Sequence, residues 1–163
     1  SGDNAGAPFI VIDKRLAQLQ VHAPDGTPIG ATPVLLGMAR DDRIAPGTEN
    51  LPLSQIKPDE RVTPAGRFVA VSGRNHRGEE VIWVHYEAGI SMHRLRAVDL
   101  SERRLQRLSS STPLDNRISY GCINVPIAFY DAVLSHLAAR APVVYVLPET
   151  RPAGEWFGFS APD

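Results

Sequence analysis

Cysteine is nearly absent from this chain: Cys122 is the only one in 163 residues. A lone thiol makes no internal disulfide, which leaves four roles open to it: a buried inert hydrophobe, an intermolecular partner, a metal ligand or a nucleophile. Net charge is nearly absent as well. Seventeen Lys and Arg stand against eighteen Asp and Glu, a formal −1, so no global field draws the chain to nucleic acid or to an anionic membrane, and neither is expected as a partner. Long apolar runs are missing too. None approaches the roughly 18 residues that a membrane span needs, and no basic-then-apolar leader opens the sequence. Internal repeats and low-complexity tracts are lacking, as are the CxxC and HExxH spacings that mark metal sites.

What is present is ordinary globular material, 43% hydrophobic and 21% charged, of a length that fits one domain with a real core. Residues 1–8 read as a linker or disordered N-terminus, 9–150 as one domain and 151–163 as a C-terminal tail. FIVIDKRLAQLQVHAP alternates apolar and polar residues up to a turn at Asp25-Gly26, and TPIGATPVLLG resumes it, so the two runs predict a hairpin. Four prolines, at 46, 52, 58 and 64, make residues 39–66 a loop region with at most a short helical turn. RFVAVSG (67–73) and EEVIWVHYEAGISMH (79–93) read as strands joined by the polar RNHRG turn. Leu100, Leu105 and Leu108 follow at helical spacing behind Asp99 or Ser101 as N-cap. A second helix is predicted in PIAFYDAVLSHLAAR, with Pro126 in its first turn and Ile127, Tyr130, Val133, Leu134 and Leu137 on one face. PVVYVLP (142–148) reads as a last strand. The expected fold is mainly β with two short helices on either side of the cysteine.

Gly121 and Cys122 then fall in a turn between an extended stretch and that second helix, where backbone N–H groups are free. A helix N-terminus lowers a thiol's pKa, and N–H groups of Tyr120, Gly121 and Cys122 would suit an oxyanion. A thiol nucleophile also needs a base, and the chain offers five histidines. His22, His76 and His136, at a strand end, in a polar turn and on a helix, read as surface residues. His85 and His93 compete for the role, and spacing alone does not separate them.

Four stretches, in order, carry a family resemblance: IVIDKRLAQLQVH, TPVLLG, Thr63-Pro64-Ala65-Gly66-Arg67-Phe68, and the pair SMH and SYGCIN. Together they resemble an L,D-transpeptidase catalytic domain of the YkuD-like family, over residues 9 to about 148. The family's segment runs Ser-His-Gly-Cys, an apolar residue, then Arg or Asn. Here Tyr120 stands where the second histidine is usual, and 25 residues between His93 and Ser119 make a longer insert.

The resemblance implies a β-sandwich catalytic domain with Cys122 as nucleophile and His93 as base, without cofactor or metal. It makes the carbonyl of Arg94 the group that orients His93, the Tyr120–Cys122 backbone the oxyanion site, and Ser119 and Asn124 supports of the turn. Tyr86, Trp83, Arg96 and Arg117 are candidate substrate contacts, and the insert with its six arginines, at 94, 96, 103, 104, 107 and 117, a lid or a substrate-facing wall. The implied substrates are peptidoglycan stem peptides, and the implied enzyme is exported, periplasmic or wall-facing, a carbapenem target whose signal peptide is not in this chain. Cysteine-dependent acyl transfer releases D-alanine and forms a crosslink; hydrolysis of the same bonds is the alternative within the enzyme class. Two other classes stand beside it: a zinc site built from Cys122, His93 and His85, and a non-catalytic wall-binding module in which Tyr120 marks lost activity.

Overall fold

The computed structural model describes residues 2–159; residue 1 of the expected linker and residues 160–163 of the expected tail lie outside the described residues. Eleven strands are described: β1 Phe9–Asp13, β2 Gln18–His22, β3 Pro28–Pro33, β4 Leu36–Gly37, β5 Gly66–Val69, β6 Val71–Arg74, β7 Glu80–His85, β8 Ile90–Arg94, β9 Arg117–Ser119, β10 Ile123–Val125 and β11 Val143–Leu147. They form a five-stranded sheet in the order β3-β2-β1-β11-β5, a four-stranded sheet in the order β10-β8-β7-β6, and a β4-β9 pair. Among these described residues no helix is long and apolar enough to cross a membrane.

One core joins the two larger sheets. Ile10, Ile12, Leu19, Val21, Val144 and Val146 come from the first, and Ile82, Met92, Ile123 and Val125 from the second. Burying each such side chain contributes about 1.5–3 kcal/mol. The helix α2 packs on the same core through Tyr130, Leu134 and Leu137. It runs as an α-helical turn Ile127–Phe129, a π-helical turn Tyr130–Leu134 and a further α-helical turn Ser135–Ala138. Ile127, expected on the buried face, is 53% exposed, because the residue behind Pro126 faces out before the helix reaches the core.

Several boundaries differ from the sequence reading. The alternating run 9–24 is two antiparallel strands, paired from Phe9↔His22 to Asp13↔Gln18. The Asp13 carboxylate accepts the Leu16 N–H at 3.0 Å, and Ala17 takes a φ of 50°, which closes the turn between them. The expected Asp25-Gly26 hairpin is present between β2 and β3, with Gly26 at φ 91°. The 79–93 run also folds back on itself. Gly89, at φ 68°, donates to the Tyr86 carbonyl at 2.9 Å and sets β7 and β8 antiparallel.

The proline-rich segment carries three 3₁₀ turns, Thr48–Asn50, Leu53–Gln55 and Pro58–Glu60. The helix expected from Leu100 to Leu108 is shorter than its spacing suggests. A 3₁₀ turn Leu100–Glu102 and the helix α1, Arg104–Leu108, are separated by Arg103 at φ 50°. A further helix, Ala153–Phe157, lies in the segment read as a tail, and its Trp156 ring takes the Arg43 guanidinium 5.3 Å from its centroid. In the segment read as a linker, the Asp3 carboxylate accepts hydrogen bonds from Arg67 and from the Tyr145 hydroxyl, each at 2.8 Å.

Candidate active site

Strand β8 is buried on both faces. Ile90 and Met92 point into the core, so Ser91 and His93 point the other way, two residues apart on one face. Strand β10 runs parallel beside it, with Ile123 opposite Met92 and Asn124 opposite His93. Ile123 and Val125 take the core side, which leaves Cys122 and Asn124 on the outer side. The result is a square of side chains: Cys122 next to Ser91, Asn124 next to His93, and His93 diagonal to Cys122. The Ser91 Oγ lies 3.7 Å from the Cys122 Sγ, and the thiol also donates to the Gly89 carbonyl at 3.4 Å.

Cys122 therefore sits at the leading end of a strand. A helix N-terminus was expected behind it, but β10 intervenes before α2, so the helix dipole does not reach the thiol. The turn in front of it is locked instead by side chains. Ser119 Oγ donates to the Cys122 carbonyl at 2.6 Å and accepts the Gly121 N–H at 3.1 Å. Thr63 Oγ1 donates to the Gly121 carbonyl at 2.8 Å and accepts the Gly37 N–H at 2.9 Å, all three residues being buried. Gly121 has a φ of 131°, and a Cβ there would stand 2.5 Å from the Val62 carbonyl oxygen. Only glycine satisfies both conditions.

Of the three N–H groups read as free, that of Gly121 is committed to Ser119. Those of Tyr120 and Cys122 have no hydrogen-bond partner among the described residues. Asn124 is fully buried: its backbone exchanges two hydrogen bonds with Leu35, and its Nδ2 donates to the Cys122 carbonyl at 3.4 Å.

His93 is 7% exposed, and its Nδ1 lies 2.8 Å from the Arg94 carbonyl oxygen. A carbonyl only accepts, so Nδ1 carries the proton and Nε2 keeps its lone pair. Burial pushes the imidazole pKa down to about 4; the hydrogen bond to Arg94 and the charge of Glu79 raise it, while Arg96 and Arg104 lower it further. At neutral pH the ring is an uncharged base.

Ser91, His93, Ser119, Tyr120, Cys122 and Asn124 line one cavity of about 570 Å³. The proline-rich loop contributes Leu51 and Ile56 to its wall, the β7–β8 turn Tyr86, and the insert Arg96, Val98 and Arg104. Trp83 and Tyr86 both line it, packed edge to face at 5.1 Å. Tyr120 lines it too, its ring beneath the Arg61 guanidinium at 3.9 Å. Arg96 pairs with Glu79 at 2.6 Å.

Arg117 does not belong there. It is buried, its NH1 and NH2 donating to the two carboxylate oxygens of Glu149 at 3.0 and 2.7 Å and its NH2 also to the Lys14 carbonyl at 2.6 Å, so its reading as a substrate contact is corrected. The side chain of Arg94 pairs with Glu80 and Asp131, and only its carbonyl serves the site. His85 accepts the Ala88 N–H on Nδ1 and packs against Phe68, and it does not line the cavity with Cys122 and His93. Among the described residues no group of three His, Cys, Asp or Glu side chains is placed to hold a metal ion.

Sequence reasoning missed three residues here. Ser91 was findable as the residue two before His93 on one strand face. Thr63 was noticed in its motif but without a partner. Arg104 was one arginine among six.

No family model matches the chain, and neither does any curated protein. Solved structures do match. Helical cell shape determining protein Pgp2 from Campylobacter jejuni, in a variant form, superposes with a TM-score of 0.57 at 14% identity, over 93% of this chain and 50% of that one. The L,D-transpeptidase from Xylanimonas cellulosilytica gives 0.53 at 16%, over 86% of this chain and 60% of that one. LD transpeptidase LdtMt1 in complex with imipenem gives 0.50 at 17%, over 86% and 59%. The chain thus spans about half the length of Pgp2 and under two thirds of the other two. At these identities the likeness is one of fold: the chain has the L,D-transpeptidase catalytic-domain fold, the mainly β architecture its sequence motifs implied.

Proposed function

We propose that this domain catalyses cysteine-dependent acyl transfer on peptidoglycan stem peptides, as an L,D-transpeptidase. The observation that carries the reading is the pairing, in one cavity, of Cys122 with a neutral His93 whose Nδ1 is tied to the Arg94 carbonyl, leaving Nε2 to take a proton. The fold shared with transpeptidases supports it.

In the proposed mechanism His93 Nε2 takes the Cys122 thiol proton, and the thiolate attacks the carbonyl before a terminal D-alanine. The oxyanion meets the unpartnered N–H groups of Tyr120 and Cys122. Collapse breaks the C–N bond, His93 returns its proton to the leaving amine, and a thioester on Cys122 remains. An amine of a second stem then attacks the thioester and restores the thiol. Water in place of that amine gives a carboxypeptidase or endopeptidase from the same intermediate. Tyr120 serves this scheme through its backbone, and Arg61 on its ring holds it in place. Such chemistry belongs outside the cell membrane, so the protein acts in the periplasm or at the cell wall.

The test is incubation with disaccharide-tetrapeptide, followed by intact mass of the protein and chromatography of the muropeptides. A thioester on wild type but not on Cys122→Ala, with dimeric product, is the expected result. Tripeptide monomer without dimer identifies hydrolysis. Neither adduct nor product refutes the enzyme reading in favour of a wall-binding one.

A further inference from the structure

In this scheme Cys122 and His93 break and make the bonds, and three arginines of the same cavity, Arg77, Arg96 and Arg104, have no part in it. Arg104 opens α1 within the insert, with its side chain 15% exposed. Its Nε donates to Glu102 and its NH1 to the Asn124 side-chain oxygen, both at 2.6 Å. Its NH2 has no hydrogen-bond partner among the described residues. Arg104 and the cavity's other arginine near His93, Arg96, each pair with a carboxylate at 2.6 Å, Glu102 and Glu79, and Arg104 alone of the two also bonds to the strand behind Cys122, through Asn124.

We infer that Arg104 binds the terminal carboxylate of the donor stem, the one carried by the leaving amino acid, and so restricts the enzyme to stems with a free C-terminus; this rests on the acyl-transfer reading above. The argument is one of direction along the strands. Cys122 and Asn124 are two residues apart on β10, a step of about 7 Å. The attacked carbonyl lies at Cys122. His93, in register with Asn124, must protonate the leaving nitrogen, so the leaving residue lies over the His93–Asn124 end of the square. Its carboxylate is borne by the carbon next to that nitrogen. Two arginines of the cavity act on His93 at that end, Arg96 and Arg104, and Arg104 is the one fixed to Asn124, by NH1, with its NH2 unpartnered among the described residues. A guanidinium so held is oriented before the ligand arrives, and its hydrogen bonds to a carboxylate are charge-assisted. Binding there also offsets the Arg104 charge that opposes protonation of His93.

The experiment uses N-chloroacetyl-D-alanine and its carboxamide, which alkylate Cys122 with loss of chloride and differ only in the terminal charge. Rates are measured on wild type, Arg104→Gln and Arg104→Lys. Relative to a small free thiol, wild type favours the acid by about tenfold; Arg104→Gln loses that preference while its carboxamide rate stays within about twofold, and Arg104→Lys retains part of it. An acid-to-amide ratio equal in wild type and Arg104→Gln overturns the inference. The same comparison with tetrapeptide and tetrapeptide amide follows turnover, where wild type discriminates and Arg104→Gln does not. Because alkylation needs no acyl transfer, absence of turnover with both peptides refutes the proposed function, and the alkylation ratio still decides the role of Arg104.

Discussion

Replacing Thr63 by valine removes one hydroxyl and leaves the shape nearly unchanged. That hydroxyl is wholly buried and makes two bonds, accepting from Gly37 N–H at 2.9 Å and donating to the Gly121 carbonyl at 2.8 Å. Valine returns neither, and both backbone groups stay buried, so each loses its only side-chain partner without gaining water. An unsatisfied buried polar group costs about 1–3 kcal/mol, which makes about 4 kcal/mol a central value for the pair. In a domain of this size about 1 kcal/mol shifts Tm by roughly 2–4 °C, so Thr63→Val should melt about 12 °C lower. Thr63→Ser keeps both bonds and loses one methyl, about 1 kcal/mol. Urea unfolding of the three proteins measures the difference. Alkylation of Cys122 by neutral chloroacetamide measures the catalytic consequence, since the freed Gly121 carbonyl loosens the turn that aims the thiol. Thr63→Val no less stable than Thr63→Ser, with an unchanged alkylation rate, refutes the clamp.

Gly121→Ala introduces a Cβ 2.5 Å from the Val62 oxygen and 2.7 Å from Ile90 Cδ1 at a φ of 131°; a loss above about 3 kcal/mol in urea unfolding is expected. Glu149→Gln leaves the buried Arg117 without its carboxylate and Lys14 with Asp42 alone, a broken buried network for which unfolding should show a loss of about 3–5 kcal/mol. Stability should also fall with acid in two stages. The unfolded chain protonates His93 at its ordinary 6.5 while the folded chain waits until about 4, so stability is full above pH 6.5 and drops by up to about 3 kcal/mol as pH falls to 4. Asp42, which burial works to raise but Lys14, Thr150 and two backbone N–H groups hold down at about 2, extends the loss below its ordinary 3.8. Urea midpoints against pH check this, and His93→Gln should flatten the upper stage.

Much of the fold was legible because strand alternation and turn chemistry are local. The Asp25-Gly26 hairpin, the strand at 143–147 and the helix behind Pro126 all follow from neighbours in sequence. Where the reading missed, side-chain character and burial were inverted. In the Asp13–Ala17 turn Leu16 is 60% exposed while Lys14 is fully buried, its Nζ bonded to the Asp41 and Thr63 carbonyls and paired with Asp42. No local pattern announces that, since its partners lie 27 to 135 residues away, and the alternation running through the turn hid the strand break. At the site, Gly-Cys and the upstream histidine were legible as residue types at a turn and on a strand. Their diagonal placement depends on the parallel register of β8 and β10, which only the fold supplies. Arg117 was misread for the same reason: an arginine in a basic insert looks solvated until Glu149 arrives from the far end of the chain.

The central claim is that His93 activates Cys122, and acylation of the thiol by a carbapenem tests it most directly. Intact mass is followed with time between pH 5 and 8 for wild type, His93→Ala and Cys122→Ala. The account predicts one adduct on wild type, none on Cys122→Ala, and a rate at least about a hundredfold lower for His93→Ala, the range a positioned general base supplies. Acylation of His93→Ala at the wild-type rate would contradict it, because the thiol would then need no base.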